Sequence, residues 1–337
     1  MSLSGALERV WYPGQDRGTP GMAYALAIPE LAFRAAVSAR NALYDRGGLR
    51  SVRVTGARVI SVGNLTVGGS GKTPAVIHLA SMLSAAGRRV FVLSRGYGRK
   101  SRSTAIFRAA DAPSWELAGD EPLLIARRCP EATVMVGADR AALAMEAVKR
   151  GAEVILLDDG FQHRRLLRDV DIVVVDAAVG FGNGRLLPRG PLREPLSSLH
   201  RAGLIWLVGS PIRPLPPFPA PMVQVRVRPT ALISASGVEE PLESLRGRRV
   251  IALAAIARPE RFIATLTSLG ADVVERRLLP DHAPLSSHHL ASADGALVVT
   301  TEKDHARLPS SAPPVARLRI DTKILDGEQA LTTALRL

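Results

Sequence analysis

A chain of 337 residues can hold one large or two ordinary domains with a well-buried core. Hydrophobic residues make up 47% and aromatics only 4%, so Ala, Val, Leu and Ile must build that core; one cysteine, Cys129, excludes an internal disulfide framework and fits a reducing compartment. The 44 basic against 31 acidic side chains give a formal charge of +13, which suits a polyanionic partner, although a bias toward Ala and Arg would account for much of it.

The first residues, MSLSGALERVWYPG, include Glu8 and Arg9 and lack the compact apolar core of a secretion signal. From Gly21 to Tyr44 the chain is rich in Ala and Leu but broken by Pro29, Glu30, Arg34 and Arg40. No uninterrupted apolar run reaches the roughly 20 residues of a spanning helix. The stretch suits an interfacial amphipathic helix with snorkelling arginines or an ordinary packed helix, and the residues alone leave both open.

Val59–Pro74, VISVGNLTVGGSGKTP, is the most informative segment. A β-type run passes into a loop, Thr66-Val67-Gly68-Gly69-Ser70-Gly71, then Lys72, Thr73 and a helix-forming stretch. Strand, glycine-rich loop and helix form the setting of a phosphate-binding loop. Its backbone N–H groups curl around phosphate oxygens and the helix N-terminus adds partial positive charge. Lys72 would reach the β- and γ-phosphates of ATP and Thr73 would bind Mg²⁺. Thr66 stands where the commonest form of the loop has glycine. Val67 stands where ATPases that dimerise around nucleotide carry a second lysine.

Downstream, strands and helices alternate. Residues 89–98, 132–137, 153–160, 171–177 and 203–210 read as strands, several of them buried parallel strands, with helices around 122–128 and 140–151. Asp158 and Asp159 end one such strand, where an aspartate of a phosphate-binding-loop protein holds Mg²⁺. A proline-rich connector, PIRPLPPFPAP, precedes an alternating strand at 223–234 and a smaller α/β set. The expected fold is α/β, a P-loop NTPase-type mostly parallel sheet with helices on both faces, plus a second, smaller α/β lobe. The expected domains are residues 1–222 and 223–337, with a cleft between them.

Further candidate groups lie on loops: Ser94–Gly98, Gly119–Pro122, Gln162–His163, LPRGPLREP at 187–195 and His282 in PDHAP. Each is weak alone, but several follow apolar strands on the side where α/β sheets bind ligands. A membrane-recruited ATPase switch of the partitioning type would share the phosphate loop and the basic amphipathic segment, yet Val67 and the second lobe argue against it. No nucleic-acid recognition motif or aromatic stacking platform is present, and nucleic acid is not expected as a partner.

VGNLTVGGSGKTP, SRGYG, GDEP, DDGFQH, LPRGPLREP, PDH and TTEKD occur in this order between residues 62 and 304. Together they closely resemble the tetraacyldisaccharide 4′-kinases, the lipid A biosynthesis kinases often called LpxK. The resemblance implies ATP-dependent phosphorylation of the 4′-hydroxyl of an acylated glucosamine disaccharide 1-phosphate at the cytoplasmic face of a bacterial inner membrane. Its partners would be this lipid and the anionic membrane surface. The resemblance also makes Asp120 the general base and His282 its partner from the second lobe; the proline-rich linker between them suggests that the two meet when the cleft closes. Lys72 and Arg193 would stabilise the transferring phosphoryl group, and Thr73, Asp158 and Asp159 would serve Mg²⁺. Arg95, Tyr97, Glu121 and Gln162 would contact substrate, with Glu121, Gln162 and Glu194 also candidates for metal or water-mediated contacts. The family often has a second histidine after PDH, where this chain has Ala283.

Overall fold

The computed structural model describes residues 3–12, 20–292, 294–308, 312–313 and 315–337. Pro13 and Gly14 of the N-terminal ERVWYPG segment lie outside the described residues. In chain order the first elements are α1 (Leu3–Trp11), α2 (Pro20–Ala25), α3 (Ala27–Asp45), β1 (Arg58–Gly63), α4 (Lys72–Ala85), β2 (Val90–Ser94), β3 (Ala105–Phe107), α5 (Trp115–Ala118) and α6 (Asp120–Arg128). There follow β4 (Thr133–Val136), α7 (Arg140–Lys149), β5 (Val154–Asp158), β6 (Val170–Asp176), β7 (Leu204–Val208), β8 (Met222–Ile233) and β9 (Glu239–Glu240). The remainder is β10 (Arg249–Ala254), α8 (Pro259–Ser268), β11 (Asp272–Leu278), α9 (Ser287–Leu290), β12 (Leu297–Thr301), α10 (Glu302–Ala306), β13 (Ala316–Asp326) and α11 (Glu328–Leu335).

These elements form two compact units, residues 1–75, 144–226 and 324–337 in one and residues 76–143 and 227–323 in the other. The expected boundary at 222/223 falls near one crossing, within β8. Residues 76–143, however, belong with the C-terminal part of the chain rather than with the phosphate loop.

In the first unit the parallel strands run in the order β8–β7–β6–β1–β5. Every residue of β5, and all but the first of β1 and β6, is buried, as near-continuous apolar runs require when both faces are covered. Register places Val62 beside Asp158, so the phosphate loop and the aspartate pair leave neighbouring C-terminal strand ends. An apolar cluster of Leu65, Phe161, Val173, Phe181, Leu192 and Ile205, among others, sits beneath them.

The second unit contains β2 parallel to β4, β3 antiparallel to β4, and the parallel set β11–β10–β12–β13. Leu232, Ala252, Leu266 and Val299 lie in one of its apolar cores and Ile251, Leu253 and Val298 in another. The sequence reading passed over β13. Its Arg317, Arg319, Asp321 and Lys323 alternate with Ala316, Leu318, Ile320 and Thr322, the period of two that a strand demands.

α2 and α3 are arranged contrary to an ordinary surface helix pair. Tyr24, Ile28, Leu31 and Leu43 are exposed, at 74%, 78%, 63% and 49%, whereas Glu30 is buried. Glu30 accepts from the Leu186 N–H at 3.3 Å and pairs with Arg34 at 3.0 Å and Arg189 at 3.5 Å. Although burial opposes it, Arg34, the Leu186 N–H and the charge of Arg185 hold the Glu30 carboxyl below its ordinary pKa. Farther along, Arg40 donates to the Gln162 carbonyl at 2.7 Å and Asn41 to Glu194 at 2.8 Å. Glu30, Arg40 and Asn41 thus tie the helix to the protein, as Phe33 does by packing on the apolar cluster, while Tyr24, Ile28 and Leu31 face outward. By length and composition Gly21–Asp45 is apolar enough to cross a membrane, a greater reach than the interrupted sequence implied.

Candidate functional site

The first cluster is built around the phosphate loop. Gly68 and Gly71 have φ of +94° and +87°, a region glycine enters without steric cost and other residues rarely adopt. α4 begins at Lys72, so its free N–H groups open onto the loop. The Asn64 amide shapes the preceding turn by donating to the Thr66 carbonyl at 2.7 Å, and its oxygen accepts from Lys72 Nζ at 3.0 Å. The loop is braced from the other side by LPRGPLREP. The Val67 N–H donates to the Pro191 carbonyl at 2.9 Å, and the Arg193 N–H to the Leu65 carbonyl at 2.7 Å.

That bracing brings Arg193 to Asp159, which it holds with two bonds of 2.8 and 3.0 Å; Lys72 approaches the same carboxylate at 3.5 Å. Burial would raise the Asp159 pKa, but Lys72 and Arg193 hold it below the ordinary carboxylate value. Asp159 has φ of +52°, a strained conformation that aspartate tolerates better than most residues. Asp158, at the tip of β5, is buried. Gln162 donates to the Asn64 carbonyl at 3.0 Å. Glu194 is held by Arg201 at 2.5 Å and by Asn41, and Arg201 in turn lies 4.3 Å from the Phe161 ring centroid. Lys72, Asp159, Arg193 and Gln162 therefore come together with Thr66–Thr73 in one unit.

The second cluster lies in the other unit. Asp120 opens α6, is 2% exposed, and meets His282 Nδ1 at 2.9 Å from Oδ2, while its Oδ1 accepts from the Glu121 N–H at 2.9 Å. Gly119, at φ +91°, precedes it. A Cβ there would lie 3.1 Å from the Gly96 Cα and 3.2 Å from the Tyr97 carbonyl, so SRGYG and GDEP pack backbone to backbone. This brings the Tyr97 ring to 5.1 Å from that of His282; Arg95 is exposed on the same loop. Expected on separate lobes, Asp120 and His282 instead belong to one compact unit and are already joined there.

His282 also has a positive φ, +61°. Its N–H donates to the Ala255 carbonyl at 3.2 Å, and Arg307 bonds the carbonyls of Ala255 and Ala283 at 3.0 and 2.9 Å. Arg307 in turn pairs with buried Asp304 and stands 3.6 Å from Asp120. Lys303 bridges Glu121 at 3.1 Å and Asp281 at 3.6 Å. Burial pushes the Asp120 pKa up, yet its hydrogen bond to His282 and the charges of Lys303 and Arg307 bring it below the ordinary value. The bond to Asp120 raises the His282 pKa against burial and Lys303. Sequence reasoning had assigned no role to Asn64, Arg201, Lys303, Asp304 or Arg307. Asn64, Lys303 and Asp304 lay inside quoted motifs, which was the available signal.

Residues 22–336 match the family of tetraacyldisaccharide-1-P 4′-kinases. A tetraacyldisaccharide 4′-kinase of Anaeromyxobacter sp. (strain K) is 46% identical over 98% of this chain and 94% of its own. That of Syntrophus aciditrophicus is 40% identical over 96% of each. The crystal structure of LpxK from Aquifex aeolicus in complex with ATP is similar with a TM-score of 0.81, at 35% identity over 94% of this chain and 98% of its own. These similarities do not favour the partitioning-type switch. Matched almost end to end, the chain belongs to the tetraacyldisaccharide 4′-kinase family.

Proposed function

We propose that this protein transfers the γ-phosphoryl group of ATP to the 4′-hydroxyl of a tetraacylated glucosamine disaccharide 1-phosphate. The observation that carries the reading is the Lys72–Asp159–Arg193 cluster beside a glycine loop that opens α4. Two cations at the phosphate loop suit a transition state whose charge lies on phosphoryl oxygens. The residues fit a nucleotide: the Ser70 hydroxyl, a donor suited to phosphate, is buried within the loop without a hydrogen-bond partner. They fit Mg²⁺ as well. Among the described residues no group of three or more His, Cys, Asp or Glu could hold a metal ion, but Mg²⁺ typically takes one or two carboxylates with nucleotide oxygens. Thr73, Asp158 and Asp159 supply the hard oxygen donors it prefers, and when bound it neutralises phosphate charge.

In this reading the first cluster serves the nucleotide and the second serves the hydroxyl. Lys72 and Arg193 are released from Asp159 to the phosphates. Asp120 accepts the hydroxyl proton, and His282 orients its carboxylate. A weakly basic carboxylate suffices, because phosphoryl transfer asks mainly for positioning and charge stabilisation. Tyr97, Arg95, Glu121 and Gln162 contact substrate. The outward apolar face of α2 and α3 supports a peripheral seat on the cytoplasmic face of an inner membrane, where the lipid acceptor resides. Purified protein with γ-³²P-labelled ATP, Mg²⁺ and the lipid disaccharide in mixed micelles should give a labelled lipid. ATP hydrolysis or dimerisation with no labelled lipid would refute the kinase reading.

A further inference from the structure

We propose that Lys303 is a positioning residue that fixes the tautomer of His282 and thereby makes Asp120, not the imidazole, the proton acceptor. The inference rests on the reading of Asp120 and His282 as the pair serving the acceptor hydroxyl. Its basis is the set of groups around the ring. A carboxylate can only accept hydrogen bonds and an ammonium can only donate them. Asp120 Oδ2 faces Nδ1 at 2.9 Å, and Lys303 Nζ faces Nε2 at 3.4 Å. Together they allow one neutral form of the ring, with the proton on Nδ1 and the lone pair of Nε2 turned to the ammonium.

A competing group is present. Asp281 Oδ1 lies 3.7 Å from Nε2 and would favour a proton there. Lys303 stands 3.6 Å from the same oxygen and offsets it. The ammonium is kept charged in this partly buried place: burial lowers its pKa, but Glu121, Asp120 and Asp281 raise it above the ordinary value. The charged groups facing the ring are thus Asp120 from α6, Asp281 from its own loop and Lys303 from α10; behind them Glu121 pairs with Lys303, and Arg307, paired with Asp304, stands beside Asp120. The Tyr97 ring covers a further side.

Asp304 holds the loop by accepting from the Ala255 N–H and Arg307 by donating to the Ala255 and Ala283 carbonyls, a structural task. Lys303 instead meets side chains alone, through its ammonium: His282, Glu121 and Asp281. Its removal should alter protonation more than fold. With Nε2 no longer opposed by a cation, the ring takes a second proton more readily. An imidazolium beside Asp120 makes that carboxylate a poorer base. The cost is a smaller active fraction at neutral pH together with a misplaced ring, on the order of 10²-fold in turnover at most.

The experiment compares Lys303→Met, which keeps the stem and removes the charge, with Lys303→Arg. Asp120→Asn and His282→Gln serve as controls. Lys303→Met should lower kcat with little change in the KM for ATP and move the acid limb of the kcat profile to higher pH. In ¹⁵N-labelled protein the His282 resonances should shift from the Nδ1–H pattern toward imidazolium at neutral pH. Lys303→Arg should restore the pH limb. An unmoved acid limb and unchanged ring resonances in Lys303→Met, with the controls inactive, overturn the positioning role alone. Controls that retain turnover overturn the Asp120–His282 reading and this inference with it. A fall in thermal stability with the pH limb unmoved would mark Lys303 as merely structural, and would also overturn the proposal.

Discussion

Replacing Asp120 by Asn is the sharpest perturbation, because it removes the charge while keeping the shape. The side chain is 2% exposed, and its amide oxygen can still accept from the Glu121 N–H, so local geometry should survive. What disappears is the proton-accepting carboxylate and one counter-charge for Arg307, 3.6 Å away. Loss of a general base lowers turnover by roughly 10²–10⁴, equivalent to about 2.7–5.5 kcal/mol of barrier. The stability cost is smaller. Breaking a buried ion pair costs about 3–5 kcal/mol when the surviving charge is stranded. Here Arg307 keeps Asp304 and two backbone carbonyls, and His282 can remain neutral. A loss of about 1–3 kcal/mol, the range for one unmade buried hydrogen bond, is therefore expected. At roughly 2–4 °C per kcal/mol this lowers Tm by no more than about 12 °C. The assay is transfer of labelled phosphate to the lipid disaccharide in micelles, with calorimetric ATP binding and a thermal melt on the same preparation. Folded Asp120→Asn that binds ATP normally and turns over within about threefold of wild type, far short of the loss a missing general base causes, would refute the base assignment.

Lys72→Ala should lower kcat/KM for ATP sharply, and Arg193→Ala should lower kcat with milder loss of ATP binding; wild-type values for either would contradict their place at the phosphoryl group. Ile28→Ser and Leu31→Ser should each weaken sedimentation with anionic vesicles by about 10-fold or more, since burying such a side chain contributes about 1.5–3 kcal/mol. Undiminished binding in the double variant would show that this face does not meet the membrane. Burial, Arg317 and Arg127 push the His305 pKa from 6.5 down to about 4, so below 6.5 the unfolded chain binds a proton that the folded one does not. Folding stability should therefore fall as pH drops through that window, by about 3 kcal/mol in full, and His305→Gln should flatten the fall in urea melts. An identical pH slope in the variant would remove His305 as the cause.

How much of this was legible in the sequence depended on whether a feature was local or made by folding. The ends of β1 and β5 were readable because continuous apolar runs mark buried parallel strands, and a glycine loop or acidic pair directly after them is visible as written. α10 was not readable as a helix, since five residues are too few for a helical period to declare itself. The contact between Asp120 and His282 spans 162 residues and was available only through resemblance to a family. No local pattern encodes which strand ends a chain brings together. The Arg193–Asp159 contact was hidden for the same reason. The polarity of α3 is a different kind of omission. Glu30, Arg34 and Arg40 read as interruptions of an apolar stretch, yet spacings of four and seven place Glu30, Arg34 and the unmarked Asn41 on one helical face. Placed on a helix, the same residues separate an anchoring face, tied to Gln162, Leu186 and Glu194, from an apolar face of Tyr24, Ile28 and Leu31. The anchoring face reaches the residues that brace the phosphate loop. The helix with the outward apolar face is thus fastened to the same loops that hold Arg193 in place.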